Sequence, residues 1–301
     1  MAKPQIDGAG FGGLQGESGL MPPLDRAVLD ENPAGRDRTL ERRRRAQLRL
    51  LRMHYESGVG HLGGNLSCLD LMLVLYHDVL ESIDQFVLSK GHSAGALYVS
   101  LWSTGKLEDE ELRTFHKDGT RLSGHPPTSA IPEILFATGS LGHGLSLAAG
   151  LALAKRLKGE AGRVYCLMSD GEWNEGSCWE ALIFALHHQL DNLTIMVDLN
   201  GLQGFGTTHE VANLDPLADK FRAFGASTLE IDGHDHDEIR RALAQTGSSP
   251  RMIVARTHKA CGLSFFQDRM ESHYLPLTES QYLQAVRETE ETCERSSASR
   301  S

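Results

Sequence analysis

Ser169-Asp170-Gly171 closes one apolar run of this chain, and Asp198-Leu199-Asn200 closes the next. An Asp carboxylate, an Asn carbonyl and neighbouring main-chain oxygens are hard donors. Such a set suits Mg²⁺ that keeps a water and takes its remaining ligands from phosphates. Gly171 lets a bulky anion approach the backbone, and a helix beginning near Asn174 would turn its N-terminal amides toward negative charge. The two strand ends are therefore a candidate magnesium-diphosphate site. Locally, an Asp-Gly turn and an Asn-Gly turn without any ligand carry similar weight. Neither a GxGxxG fingerprint nor a GxxxxGK[ST] loop follows any predicted strand, so the dinucleotide and P-loop readings lack their motifs.

Histidines tip the balance. His61 stands in a Gly-rich turn before an apolar helix (SGVGHLGGNLSCLDLMLVLY), His92 follows a strand (VLSKGHSAGALY), and His125 precedes a Pro pair (LSGHPP). Each alone reads as a satisfied structural residue. Together, in Gly-flanked loops along one sheet edge, they read as a site. By contrast, His187-His188 falls on a predicted helix, where packing or surface placement is expected.

The elements that must position these residues alternate. QFVLS, RVYCLMSD, NLTIMVDLN, STLEID and RMIVART are short, apolar and β-branched; SLAAGLALAKRLK, NEGSCWEALIFALHHQ, LDPLADKFRAF and HDEIRRALAQ separate them with helical spacing. This pattern predicts an α/β fold, a mostly parallel sheet with helices on both faces. Ligands collect at the carboxyl ends of such strands. No internal repeat of 20–50 residues is present. Residues 1–36 are rich in Gly, Pro and charge and read as a flexible arm, 37–285 as the folded domain, and 286–301 as a polar, frayed tail. Arg42 to Arg45 are expected on a solvated helix face.

Bulk properties narrow the class. The chain has 301 residues, 40% hydrophobic and 23% charged, with a formal charge of −10. That suits a globular protein and argues against a nucleic-acid binder. Five dispersed cysteines without a CxxC pair predict reduced thiols and a cytoplasmic location. The N-terminus lacks the pattern of a signal peptide. Leu135 to Ala154 has the length of a membrane span, but its glycines and polar residues favour a loop leading into a buried core helix.

In this order, GHLGG, SKGH, SGHP, TGSLGHG, SDGxxxEG and Asn200 resemble the thiamine-diphosphate-binding half of transketolases, from about Arg38 to Tyr282. The family's cofactor motif is GDG followed at a distance by Asn; here Ser169 replaces the first glycine. The resemblance implies a thiamine-diphosphate-binding fold. It assigns Asp170, Asn200 and the main-chain carbonyl of Leu202 to Mg²⁺, and Gly171 and His92 to the diphosphate. It sets Gly139 and Leu141 near the aminopyrimidine, and His61 and His125 along the donor channel with His92 in support. Glu175 matches a family glutamate at a subunit interface, part of the catalytic arrangement. DGHDHDE (Asp232 to Glu238) corresponds to an ordinary loop, and His273 is left outside the catalytic set because the family's cofactor-facing histidine looks absent.

A full transketolase carries a further pyrimidine-binding domain and a C-terminal domain. The resemblance therefore implies the N-terminal subunit of a split transketolase. It would act with a C-terminal partner subunit, as α2β2, in two-carbon ketol transfer from a ketose to an aldose. The weighed alternatives are another thiamine-diphosphate enzyme (a 2-oxo-acid dehydrogenase α subunit or a deoxyxylulose-phosphate synthase-like chain) and a non-catalytic scaffold. Neither nucleic acid nor membrane is an expected partner.

Overall fold

A computed structural model describes residues 33–128 and 131–298. The chain begins with α1 (Pro33–Ser57), α2 (Leu62–Val74), β1 (Gln85–Leu88), α3 (Ala94–Ser103), α4 (Asp109–Leu112) and α5 (Gly144–Lys158). It continues with β2 (Val164–Ser169), α6 (Gly176–His187), β3 (Leu193–Leu199), β4 (Leu202–Gln203), β5 (Gly206–Thr207), α7 (Thr208–Ala212) and α8 (Leu217–Ala223). β6 (Ser227–Asp232), α9 (His236–Ala244), β7 (Arg251–Arg256), α10 (Glu271–Tyr274) and α11 (Glu279–Ala298) complete it.

The main sheet has five strands in the order β1-β2-β3-β7-β6, and each neighbouring pair is parallel. Strand alternation divides the core. Phe86, Leu88, Tyr165, Leu167, Met196, Ile253 and Ala255 face one layer, with side chains of α1, α2, α3 and α9. Val87, Val164, Cys166, Met168, Ile195, Val197, Met252 and Val254 face the other, against α5, α6 and Phe221 of α8. Both faces are covered, as the near-continuous apolar strands require. The carboxyl ends of β1, β2, β3 and β7 all emerge at one edge, where the parallel register pairs Ser169 with Asp198. The opening acid and amide thus leave adjacent strands at the same height.

Leu135 to Ala154 resolves into a loop and the first part of α5, whose Leu145, Ala148, Ala149 and Ala152 are buried. Among the described residues no helix is long and apolar enough to cross a membrane. Helix α6 starts at Gly176, after a 3-10 turn over Gly171–Asn174, slightly later than expected. His187 and His188 sit at the α6 terminus, His188 against Phe184 at 4.4 Å between ring centroids.

Three expectations are corrected. Arg42 to Arg45 are a solvated face only in part: Arg43 reaches buried Asp70 at 2.9 Å, Arg42 meets Asp78 at 3.1 Å and Arg44 bonds Glu290 at 2.7 Å, while Arg45 stays exposed over Trp102. α1 turns Arg43 inward because α2, which carries Asp70, lies against it. Segment 286–301 is helical to Ala298 and not frayed over its first turns, since Gln47 donates to Thr289 and Ser264 to Glu288. DGHDHDE is also more than a loop: His234 Nδ1 and His236 Nε2 contact Asp70 at 2.9 and 2.7 Å. Of the expected arm, residues 1–32 lie outside the described residues, while Pro33 already belongs to α1.

Candidate active site

A cleft of about 300 Å³ lies at the carboxyl edge of the sheet. It gathers His61, His92, His125, Gly139, Leu141, Asp170, Gly171, Asn200 and Leu202. Every expected site residue is there except Glu175. That residue is exposed at the start of α6, beside Gly142, where an added Cβ would approach the Glu175 Cβ to 2.7 Å.

Several glycines exist to bring loops together. A Cβ on Gly60 would meet the Tyr274 carbonyl oxygen at 2.3 Å, so only glycine lets the 272–274 segment lie against the start of α2. The N–H of His61 then donates to the carbonyl of His273 at 2.8 Å. His61 itself adopts the left-handed region, φ 64°, unusual for a side chain of its size. Asn65 holds the arrangement, donating to the carbonyls of His61 (2.8 Å) and His92 (3.2 Å) and accepting from the Ala96 N–H (2.6 Å).

The result is a wall of imidazoles. Ring centroids lie 5.8 Å apart for His61 and His92, 6.0 Å for His61 and His125, and 5.2 Å for His61 and His273. Burial lowers His61 and His92 below the usual histidine range, and it takes His273, with help from Lys259, down to about 3. These rings are neutral at neutral pH, so each offers one N–H and one lone pair. Lys259 Nζ donates to His273 Nδ1 at 2.8 Å, which leaves the His273 proton on Nε2.

Oxygen-bearing groups line the cleft beside them. Asp170 is buried, and its carboxylate accepts from the N–H groups of Gly171 (2.7 Å) and Gly201 (2.6 Å). Burial and neighbouring Asp198 push it up to about 6, and a cation placed here would draw it back down. The Leu202 carbonyl accepts from the Lys259 ammonium at 3.1 Å, so that oxygen already serves a cationic group. Asn200 Oδ1 accepts from the Leu202 N–H at 3.1 Å and keeps one lone pair. An anionic oxygen, an amide oxygen and a main-chain oxygen thus belong to residues lining one cleft, and such donors suit Mg²⁺ beside a diphosphate.

Sequence reasoning did not single out Lys259, Lys90 or Glu172. Burial and Lys90 depress the Lys259 ammonium to about 8. Lys259 follows β7 much as His92 follows β1, so the strand-end rule applied to RMIVART reaches it. His273, left outside the catalytic set, lines the cleft, because the close packing at Gly60 and Gly63 brings its segment there. Glu172, fully buried, accepts from Ser89 and from the N–H groups of Gly142 (2.9 Å) and Ser169 (3.3 Å). It ties the β1, α5 and β2 loops together, and burial raises its carboxyl.

The family described as the transketolase thiamine diphosphate binding domain matches residues 43–291. The chain belongs to the transketolase family. It is 38% identical over 259 residues to one subunit of the apulose-4-phosphate transketolase of Phocaeicola vulgatus, covering 82% of this chain and 92% of that protein. It is 40% identical over 245 residues to 6-deoxy-6-sulfo-D-fructose transketolase subunit SqwG of Clostridium sp., covering 77% and 89%. Human transketolase is 35% identical over 243 residues, but the match spans 39% of it. The crystal structure of Campylobacter jejuni transketolase superposes with TM-score 0.77 at 28% identity, over 85% of this chain and 43% of that one. The match thus spans nearly all of the relatives named as subunits, and under half of the long transketolases. Thiamine diphosphate is the cofactor of this domain family.

Proposed function

We propose that this chain is the cofactor-binding subunit of a two-chain transketolase, transferring a two-carbon ketol unit from a ketose to an aldose. The single observation that carries this is the convergence of neutral histidines and hard oxygen donors in one cleft. Near-full coverage of a relative that is itself named as one transketolase subunit supports it. The assembly is α2β2, with a partner subunit supplying the pyrimidine-binding and C-terminal domains. Phosphorylated ketoses and aldoses are the substrate class.

In this reading, Asp170, Asn200 and the Leu202 carbonyl hold Mg²⁺. Gly171 and His92 face the diphosphate, and Gly139 and Leu141 lie against the aminopyrimidine. Bound thiamine diphosphate supplies carbanion stabilisation. The chain's own residues orient and move protons: His61 and His125 bond substrate hydroxyls, and their neutral rings take up and return a proton at one nitrogen. His273 joins that wall, its Nε2–H directed by Lys259. Glu175, exposed beside the cleft, meets the partner subunit. Among the described residues, Cys68, Cys166, Cys178 and Cys261 are free thiols, in keeping with a cytoplasmic location.

The test is to isolate the chain from its native cell, identify the accompanying chain by mass, quantify thiamine diphosphate and Mg²⁺, and assay ketol transfer. The expected result is a partner carrying the missing domains, bound cofactor, and transfer activity. A complex that refuses the cofactor sinks the reading.

A further inference from the structure

An asparagine that ligates a cation has a problem its neighbours must solve. Its amide oxygen and nitrogen have nearly the same shape, and the wrong orientation presents an N–H₂ donor to the cation. Asn200 sits on the strand-end turn after β3 and is only part-buried. Its oxygen accepts the Leu202 N–H at 3.1 Å, and its orientation depends further on what its inward nitrogen meets.

That atom meets two oxygens. Asn200 Nδ2 lies 3.3 Å from Asp198 Oδ2 and 3.4 Å from Ser67 Oγ. Asp198 and Ser67 are each 0% exposed. A buried carboxylate is acceptor-only, so an inward Asn200 oxygen would face Asp198 without a hydrogen between them. The Ser67 hydroxyl cannot relieve that contact. Its single proton is engaged by the same Asp198 Oδ2 at 2.5 Å, with the Gly64 carbonyl at 3.1 Å as a competing acceptor.

Asp198 is itself immobilised. Its Oδ2 accepts from the Lys90 ammonium and its Oδ1 from the Thr257 hydroxyl. Lys90 is 0% exposed and also donates to the Gly64 carbonyl at 3.1 Å. The residues come from four elements or their ends: α2, β3, and the segments after β1 and β7. Because β3 alternates, Asp198 points into the sheet layer occupied by α2 while Asn200 begins the turn at the cleft.

We propose that Asp198, backed by Lys90 and Thr257 and assisted by Ser67, is the positioning residue that turns the Asn200 amide oxygen toward the cation of the cofactor site. It touches neither cofactor nor substrate, and it acts by being an anchored acceptor. The inference rests on the proposed function, since that reading supplies the cation.

The test keeps buried charge constant. On the complex of the full chain with the subunit it assembles with, two double variants are compared. Lys90→Met with Asp198→Asn removes the ion pair but leaves an oxygen for Asn200 Nδ2. Lys90→Met with Asp198→Leu removes the ion pair and the oxygen. The readouts are Mn²⁺ affinity with thiamine diphosphate present, and melting temperature without either.

The leucine variant should bind Mn²⁺ about 10–100-fold more weakly than the asparagine variant, the range for partners of metal ligands. The two ligand-free melting temperatures should fall by similar amounts. Equal Mn²⁺ affinities overturn the proposal and leave the proposed function standing. A wild-type complex that binds no divalent cation overturns both. Should the leucine variant fail to fold, an atomic-resolution crystal structure of the wild-type complex decides. Asn200 Nδ2 bonded to Asp198 and Oδ1 on the cation supports the inference, and the reverse overturns it.

Discussion

The cofactor cleft and the Asp70 cluster are built from the same residue types, yet one is open and the other closed. In the cleft, the rings of His61, His92 and His125 make no hydrogen bond among the described residues, and they face free volume. Behind α2, Asp70 takes contacts from Arg43, His234 and His236. His234 Nε2 in turn accepts the His258 N–H at 2.9 Å, so both of its nitrogens are engaged. The lesson is that a histidine's motif says little about its work. What counts is whether its nitrogens are already spoken for.

The largest effect is expected from Asp170→Ala in the assembled complex. Thiamine diphosphate and Mg²⁺ affinity should drop beyond about 100-fold, more than loss of an outer-shell partner costs, while ligand-free melting changes little; calorimetric titration reads both. Unchanged cofactor content would remove Asp170 from the site.

Asp70→Ala should do the opposite. It strands Arg43 and two imidazoles, and breaking such a buried pair costs about 3–5 kcal/mol, visible in chemical denaturation. Cofactor affinity of the folded fraction should stay near wild type. A cofactor defect larger than the stability loss would mean that the two regions are coupled.

His125→Ala should retain cofactor and lose turnover by about 10²–10⁴-fold, the usual worth of a positioned proton-transfer group. Steady-state rates on cofactor-saturated complex measure it, and a cofactor-free variant would assign His125 to binding instead.

Acid should separate the regions by pH. His54, buried behind the cleft, titrates near 4 in the fold because burial opposes its charge. His273 titrates near 3. Unfolded histidine takes its proton near pH 6.5, so between pH 6.5 and about 4 the unfolded chain binds more protons. Stability falls across that window as pH drops. Asp70 works in a lower range: despite burial, Arg43 and the two histidines hold its carboxyl well below the usual value, so its contribution is lost only below about pH 3.8. Melting temperature against pH should slope first on account of His54 and the buried cleft histidines, and His54→Phe should reduce that slope. An unaltered slope would acquit His54.

The smallest effect belongs to Arg44→Ala. Its ion pair with Glu290 is partly solvated, with side chains 26% and 43% exposed, and should contribute less than about 1 kcal/mol.

Much of this was legible in the chain. Strand alternation predicts both faces of the sheet, and the strand-end rule finds Asp170, Asn200 and His92. What stays hidden are partnerships between residues far apart in sequence. Nothing local to RRRRA tells that Arg43 turns inward, because the acceptor, Asp70, lies on another helix. Asp198 looks like the polar close of an apolar strand until Lys90 and Ser67 are seen around it. His273 enters the cleft only because glycines at 60 and 63 let its segment approach.

That clasp between His61 and His273 carries a consequence for synthesis. The sheet needs the chain only to Arg256, whereas the cleft's wall needs residue 273 docked on residue 61. A nascent chain held on the ribosome short of Tyr274 would have all its strands but an unfinished pocket. Cofactor capture should therefore begin only when the last clasp residue has cleared the exit tunnel.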